Sequence, residues 1–287
     1  MQIPISRVVC DFIILLVCGL PVLIFHLWVE PFKRGFFCDD ESIRYPFHDS
    51  TVTHEVLAAV GLILPICFIL MTESFRSFVW NKQHTGQIKL KTYHLRDLHV
   101  HPLVVRLYAF IGYFLVGVCF NQVLVDIAKY SIGRQRPHFM DVCRPSKGYT
   151  ECTVDLFITD FECTGEDANR IRESMLSFYS GHSAFAFYVA SFTALYLQGR
   201  LIRPLLSRLL LPTIQIALVA GASFVAYSRV SDYKHHWSDV LVGVVMGSAV
   251  GIFVAVVVAE VFKHRHSHMC EEVNRELRLI SRSKLGH

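Results

Sequence analysis

Apolar residues recur along this chain in long blocks separated by short polar ones. The blocks are too long for strands and too uniform for the one-sided pattern of a soluble helix. Crossing about 30 Å of hydrocarbon as a helix takes about 17 to 25 apolar residues. Six stretches meet that need, near residues 8–29, 56–72, 103–127, 183–199, 209–227 and 240–262. The last reads VLVGVVMGSAVGIFVAVVVAEVF, with Gly243, Gly247 and Gly251 four residues apart, a spacing that lets a neighbouring helix come close. Pro21, Pro65 and Pro212 fall within these stretches, where neighbouring helices can satisfy the carbonyls that a proline frees. The pattern predicts an all-α integral membrane protein, a single six-span domain over residues 1–287 whose last part, 263–287, is a tail. The short polar start lacks a small-residue cleavage site, so the first span is expected to remain as an anchor.

Composition agrees: 53% of residues are apolar, 18% are charged and the mean hydropathy is +0.40, too greasy for an ordinary soluble domain. With 28 Lys and Arg against 24 acids, the net charge is too balanced for a nucleic-acid binder. Distribution says more. Six spans place both termini on one side, together with residues 73–102 and 200–208. That side carries fifteen Lys and Arg, among them Arg200, Arg203, Arg208 and Lys284, against five acids. Residues 30–55, 128–182 and 228–239, on the other side, carry twelve against sixteen. The excess of cations marks the first side as cytosolic and the second as extracytoplasmic.

Cys38, Cys143, Cys152 and Cys163 all fall in the extracytoplasmic loops, while Cys10, Cys18, Cys67 and Cys119 fall in spans. At least one disulfide is expected in the first group, with the pairing open. Asn81, Asn121, Asn169 and Asn274 all have the wrong followers for an N-glycosylation sequon, so no N-linked glycan is expected.

Three polar clusters interrupt the apolar pattern. KYSIGRQRP, from Lys129 to Pro137, leaves the third span with three cations, which either snorkel at a helix end or hold an anion. SFYSGHSAF, from Ser177 to Phe185, opens the fourth span. Ser180 there can cap the helix, and free N–H groups beside Gly181 suit a phosphate that His182 could protonate. SRVSDYKHHWSDV, from Ser228 to Val240, joins the fifth and sixth spans. In it His235 and Asp239 are four apart and His236 and Asp239 three apart, so spacing leaves open which histidine the carboxylate orients. Arg229 adds a permanently charged fork. All three clusters lie on connections three and five, which share one membrane face. Lys129, Arg136 and Arg229 suit a phosphate dianion and the charge of a five-coordinate phosphorus, and no carboxylate cluster of the kind that holds Mg²⁺ accompanies them.

These residues resemble the signature of the type 2 phosphatidic acid phosphatase superfamily, KxxxxxxRP, PSGH and SRxxxxxHxxxD. They read here Lys129…Arg136-Pro137, Ser180-Gly181-His182 and Ser228-Arg229…His235…Asp239. The longer strings GRQRPHF, SFYSGHSAF and SRVSDYKHHWSDV are similar to the animal lipid phosphate phosphatases, a branch that shares Tyr179 in place of the first Pro of PSGH. The missing sequon in the third connection departs from that branch. The resemblance covers most of the chain. It implies His235 as nucleophile, oriented by Asp239, His182 as general acid, and Lys129, Arg136, Ser180, Gly181 and Arg229 as phosphate ligands. It further implies a phosphohistidine intermediate and no metal or other cofactor.

The expected function is therefore hydrolysis of the phosphomonoester of membrane lipids: phosphatidate, lysophosphatidate, ceramide 1-phosphate and sphingosine 1-phosphate. The alternatives are a membrane phosphatase for a soluble phosphate ester and a catalytically silent lipid-binding signalling protein. A pore or transporter is disfavoured, because ionisable residues inside the spans are few, Asp11, Arg106 and Asp126 among them. The resemblance also implies homo-oligomerisation. The expected location is the plasma membrane with an extracellular site, the endoplasmic reticulum or Golgi with a luminal site being the alternative. The tail, containing EEVNRELRLI, reads as a solvated end with no required partner.

Overall fold

The computed structural model describes residues 4–83, 93–95, 98–153, 155–201 and 207–263. The tail beyond Lys263, Arg203 and residues 84–92 of the second connection lie outside the described residues. Among the described residues eight α-helices carry the fold: α1 Ile5–Leu27, α2 His54–Gln83, α3 Pro102–Ile132, α4 Phe139–Cys143, α5 Ala168–Ser174, α6 Gly181–Arg200, α7 Leu210–Ser231 and α8 Trp237–Phe253, the last continuing as a π-helical turn over Val254–Val258. Strand β1, Phe36–Phe37, pairs antiparallel with β4, Phe157–Ile158. The hairpin β2–β3, Tyr93–Leu95 with Leu98–Val100, sits between α2 and α3 in sequence.

Among the described residues five helices are long and apolar enough to cross a membrane: α1, α2 over His54–Phe78, α3, α7, and α8 extended to Val258. Their outward side chains stay uncovered. Leu16 is 72% exposed, Leu23 61% and Ile216 70%, and α1 buries no residue at all. In water such a surface would drive aggregation, and in hydrocarbon it is solvated. The protein is an integral membrane protein.

The remaining long helix, α6, has a physical reason for being less apolar. It is the central helix, packed by α2, α3, α7 and α8, so most of its side chains meet protein and it can carry His182, Ser183, Thr193 and Tyr196 in buried positions. Rings of α3 and α6 stack at its side: Phe114 on Tyr188 at 5.7 Å, and Phe110 edge-on to Tyr196 at 5.2 Å. The Tyr188 hydroxyl donates to the Phe114 carbonyl at 2.6 Å, so the buried phenol is satisfied.

The glycine stripe of α8 faces α6, as its spacing predicts. A methyl group at Gly247 would lie 2.0 Å from the Ala184 carbonyl oxygen, and one at Gly243 2.6 Å from that of Ser180. Only hydrogen fits between these backbones, so van der Waals contact runs along both helices. Pro212 sits in the first turn of α7, which begins at Leu210, where its missing N–H breaks no helical bond.

A small cap covers one end of the bundle, built from the connections before α2 and between α3 and α6. Its own core contains Phe36, Ile43, Phe139, Met140, Ile158 and Phe161. Disulfides Cys38–Cys152 and Cys143–Cys163 close it. They use all four cysteines expected in these loops and resolve the pairing.

Candidate active site

Three chain segments meet beneath the cap where α3 ends and α6 and α8 begin. Lys129 lies in the last turn of α3, which stops at Gly133 in a left-handed conformation with φ 58°. A Cβ there would lie 1.9 Å from the Phe32 carbonyl oxygen, so glycine is required both for the turn and for the approach of the cap. The chain then runs extended through Arg134 to Arg136, whose N–H donates to the Ser174 carbonyl at 2.7 Å. Arg136 is 7% exposed and its Nε has no hydrogen-bond partner in the protein.

Ser180 is the N-cap of α6: its Oγ accepts from Ser183 N–H at 3.4 Å and from Ser183 Oγ at 3.0 Å. A Cβ on Gly181 would stand 3.6 Å from Lys129 Nζ, so the lysine ammonium lies against the open N-terminus of α6. His182, 6% exposed, has a buried Nε2 without a partner. The ring of His54, from the first turn of α2, lies 4.4 Å from the His182 ring between centroids.

The third segment is folded by backbone bonds. The Arg229 carbonyl accepts from Lys234 and His235 N–H at 3.0 and 3.1 Å, which reverses the chain between α7 and α8. Arg229 is 1% exposed; its Nη2 donates to Ser228 Oγ at 3.0 Å and to Asp232 Oδ2 at 2.9 Å. Asp232 is held in turn by Thr51, through its N–H at 2.8 Å and hydroxyl at 2.7 Å. The cap thereby fixes the guanidinium.

Asp239 is fully buried and surrounded by donors. Arg134 Nη1 reaches Oδ1 at 2.5 Å. Ser177 Oγ donates to Oδ2 at 2.6 Å, and His236 N–H to the same oxygen at 3.2 Å. The carboxylate thus closes back on the first turn of α8. Its direct histidine contact is with His236 Nδ1 at 3.2 Å, whereas His235 Nδ1 is 4.0 Å away. Ser177 fills that gap, with Oγ 3.5 Å from His235 Nδ1.

All eight residues singled out by the motifs come together at this end of the bundle. Lys129, Arg136 and His182 lie within electrostatic reach of His235, and Arg229 within reach of His182. Burial, followed by the charges of Arg136 and Lys129, holds the His235 pKa well below the ordinary imidazole range. The ring is therefore neutral, with a lone pair for a nucleophile or base, at physiological pH. Burial also lowers Arg136, with Glu173 opposing it, yet a guanidinium stays charged near neutrality. Lys234, over the Phe47 ring at 3.7 Å, is pulled to about 8 by burial and by Arg136.

Sequence reasoning missed Ser177, Arg134 and His54 as neighbours of this site. Arg134 was visible as a cation, but nothing in its spacing says that it serves Asp239. Ser177 was indistinguishable from an ordinary serine before a helix, and His54 lies far away in the chain.

A buried cluster of cations with two histidines, beneath a disulfide-closed cap on a membrane helix bundle, fits one class: a membrane phosphatase. The PAP2 superfamily signature matches residues 110–263, from mid-α3 through α8. The chain is 43% identical over 262 residues to phospholipid phosphatase 1 of Rattus norvegicus, covering 91% of this chain and 88% of that protein. It is 40% identical over 282 residues to phospholipid phosphatase 2 of Homo sapiens, covering 97% and 93%. No solved structure matches. The chain belongs to the PAP2 superfamily and, within it, to the animal lipid phosphate phosphatase branch.

Proposed function

We propose that this phosphatase hydrolyses the phosphomonoester of membrane lipids, namely phosphatidate, lysophosphatidate, ceramide 1-phosphate and sphingosine 1-phosphate, through a phosphohistidine and without a metal ion. The observation that carries the reading is the convergence of Lys129, Arg136 and Arg229 on two buried histidines. His235 Nδ1 faces Ser177 and Asp239, which leaves Nε2 to attack phosphorus. The three cations, Ser180 and the N–H of Gly181 take the phosphoryl oxygens and stabilise the five-coordinate transition state. His182 gives its proton to the leaving alkoxide, and a bound phosphate supplies the negative charge that favours the imidazolium. Water then attacks the phosphohistidine with His182 as base, releasing phosphate and restoring both rings.

In this reading α6 also crosses, as the fourth of six spans, both termini are cytosolic and the site faces the extracytoplasmic side. Two disulfides in the cap support an oxidising compartment on that side. The plasma membrane with an extracellular site is the proposed location, with endoplasmic reticulum or Golgi as the alternative, and homo-oligomerisation is proposed from the family resemblance. A headgroup can enter beneath the cap while its acyl chains remain among lipids.

The test is phosphate release from lysophosphatidate micelles in excess EDTA, comparing wild type with His235→Ala and His236→Ala. Activity lost at His235 and retained at His236 is expected. Undiminished activity in His235→Ala would exclude the mechanism, and an inactive wild type would redirect the search to soluble phosphate esters.

A further inference from the structure

At the opposite end of the bundle, three arginines converge on a single glutamate. Glu73 of α2 is fully buried. Arg200, at the end of α6, grips it bidentately, Nε to Oε1 at 2.7 Å and Nη2 to Oε2 at 3.0 Å, and the Tyr196 hydroxyl adds a bond to Oε1 at 3.1 Å. That set already satisfies the carboxylate. Two more guanidinium groups stand beside it. Arg106 of α3 comes no nearer than 3.4 Å with Nε, and Arg76 of α2 spends one N–H on the Arg200 carbonyl. The Nε atoms of both Arg76 and Arg106 are buried and have no hydrogen-bond partner. Among the described residues this leaves three cations against one anion, with Arg106 Nε held only by the longer ion-pair contact to Glu73 and Arg76 Nε without a hydrogen bond.

Such an arrangement is expensive in a poorly hydrated region unless an anion completes it. Glu73 brings a single negative charge, already engaged by Arg200 and Tyr196, and cannot balance all three guanidinium groups. The Arg106 side chain is 33% exposed, so the cluster is open to a ligand at the bundle surface. Planar forks with free N–H groups match phosphate oxygens. We infer that Arg76 and Arg106, beside the Glu73–Arg200 pair, form a second anion site that takes a phosphate-bearing group. Eighteen residues of α6 separate His182 from Arg200, about 27 Å of helix, so this site lies at the opposite end of the bundle and does not rest on the catalytic reading.

The phosphate could belong to an anionic lipid headgroup or to a free ion, and one experiment separates them. Full-length protein and the Arg76→Gln/Arg106→Gln variant are placed in phosphatidylcholine nanodiscs and their thermal unfolding is followed. One arm adds 20 mol% phosphatidylglycerol, a phosphodiester with no terminal phosphate to hydrolyse, and the other adds inorganic phosphate to the buffer. A bound anion should raise the wild-type midpoint by roughly 3 °C and the variant's by much less. A difference in the phosphatidylglycerol arm alone assigns the site to a headgroup, and one in the phosphate arm alone assigns it to a free ion. In pure phosphatidylcholine without phosphate the variant should be at least as stable as wild type, because it lacks the uncompensated charge. Equal responses of both proteins in both arms, or a variant destabilised equally in all conditions, would overturn the inference. Arg106→Gln alone keeps the comparison readable if the double variant folds poorly.

Discussion

The Ser177 hydroxyl donates to Asp239 Oδ2 at 2.6 Å and stands 3.5 Å from His235 Nδ1, where the carboxylate itself is 4.0 Å from the ring. The serine therefore couples the acid to the histidine. Ser177→Ala is expected to lower kcat for phosphate release by about tenfold, the equivalent of roughly 1.4 kcal/mol, with little change in KM. If Ser177 only satisfied Asp239, steady-state kinetics would stay at wild type while the unfolding midpoint fell.

On the proposed mechanism Asp239→Asn should retain measurable turnover and His235→Ala should abolish it, because only the first variant keeps the ring assigned to attack phosphorus. The loss in Asp239→Asn should still be substantial, since Arg134 at 2.5 Å is left without its counter-charge. Single-turnover assays of the two variants against Arg134→Ala would test that order.

Acid should destabilise the protein through His138. Burial, then Arg136, lowers its pKa from 6.5 to about 4, and its Nδ1 bonds the Tyr233 carbonyl at 2.8 Å. Below pH 6.5 the unfolded chain takes a proton that the folded ring refuses until about pH 4. The stability is thus complete above that window and lost on descending it, by about 1.4 kcal/mol per pH unit and roughly 3 kcal/mol in all. His235 adds a slope of the same sign. His138→Gln should flatten the curve by one proton when unfolding is followed between pH 7.5 and 4.5.

The α6–α8 contact predicts a large effect from a small change. Gly247→Leu pushes a side chain into the Ala184 backbone, and overpacking of this kind costs about 1–3 kcal/mol. Because these two helices begin at the site, activity should fall along with the thermal midpoint. Gly221, with nothing within 4 Å of a built Cβ, is the control position: Gly221→Ala should be neutral in both assays.

Reduction should loosen the cap before the bundle. Cys143–Cys163 closes a loop with a sequence separation of 20, for which chain entropy suggests about 3 kcal/mol. The Cys143→Ser/Cys163→Ser variant should show earlier proteolysis between residues 139 and 165 than within the helices, as mapped by limited digestion.

Much of this arrangement was legible in the sequence, for physical reasons. A helix in lipid must be apolar over its whole length, so α1, α2, α3, α7 and α8 announced themselves. Glycines at four-residue spacing meant a close neighbour, and α6 is that neighbour. The motif residues stood out because phosphate chemistry restricts which side chains can serve, and the fold gathers them at one end of the bundle. What stayed hidden depends on three-dimensional proximity. The pairing of Arg134 with Asp239 joins chain positions 105 residues apart. The approach of His54 to His182 joins chain positions 128 residues apart. The Cys38–Cys152 disulfide lies beside the β1–β4 contact, formed from strands of two residues each, too short to read as a pattern.

The glycine-lined seam between α6 and α8 bears on how the enzyme meets membranes of different thickness. Because the two backbones touch from Ser180 to Tyr188, they should tilt as one rigid rod when the hydrocarbon layer is thinner or thicker than the helices prefer. Mismatch would then be absorbed by α1, which buries nothing, and the spacing of His182 and Asp239 would be insulated from it. Turnover of one substrate in bilayers of 14-carbon and 22-carbon chains should differ little, and a steep dependence on chain length would refute that rigidity.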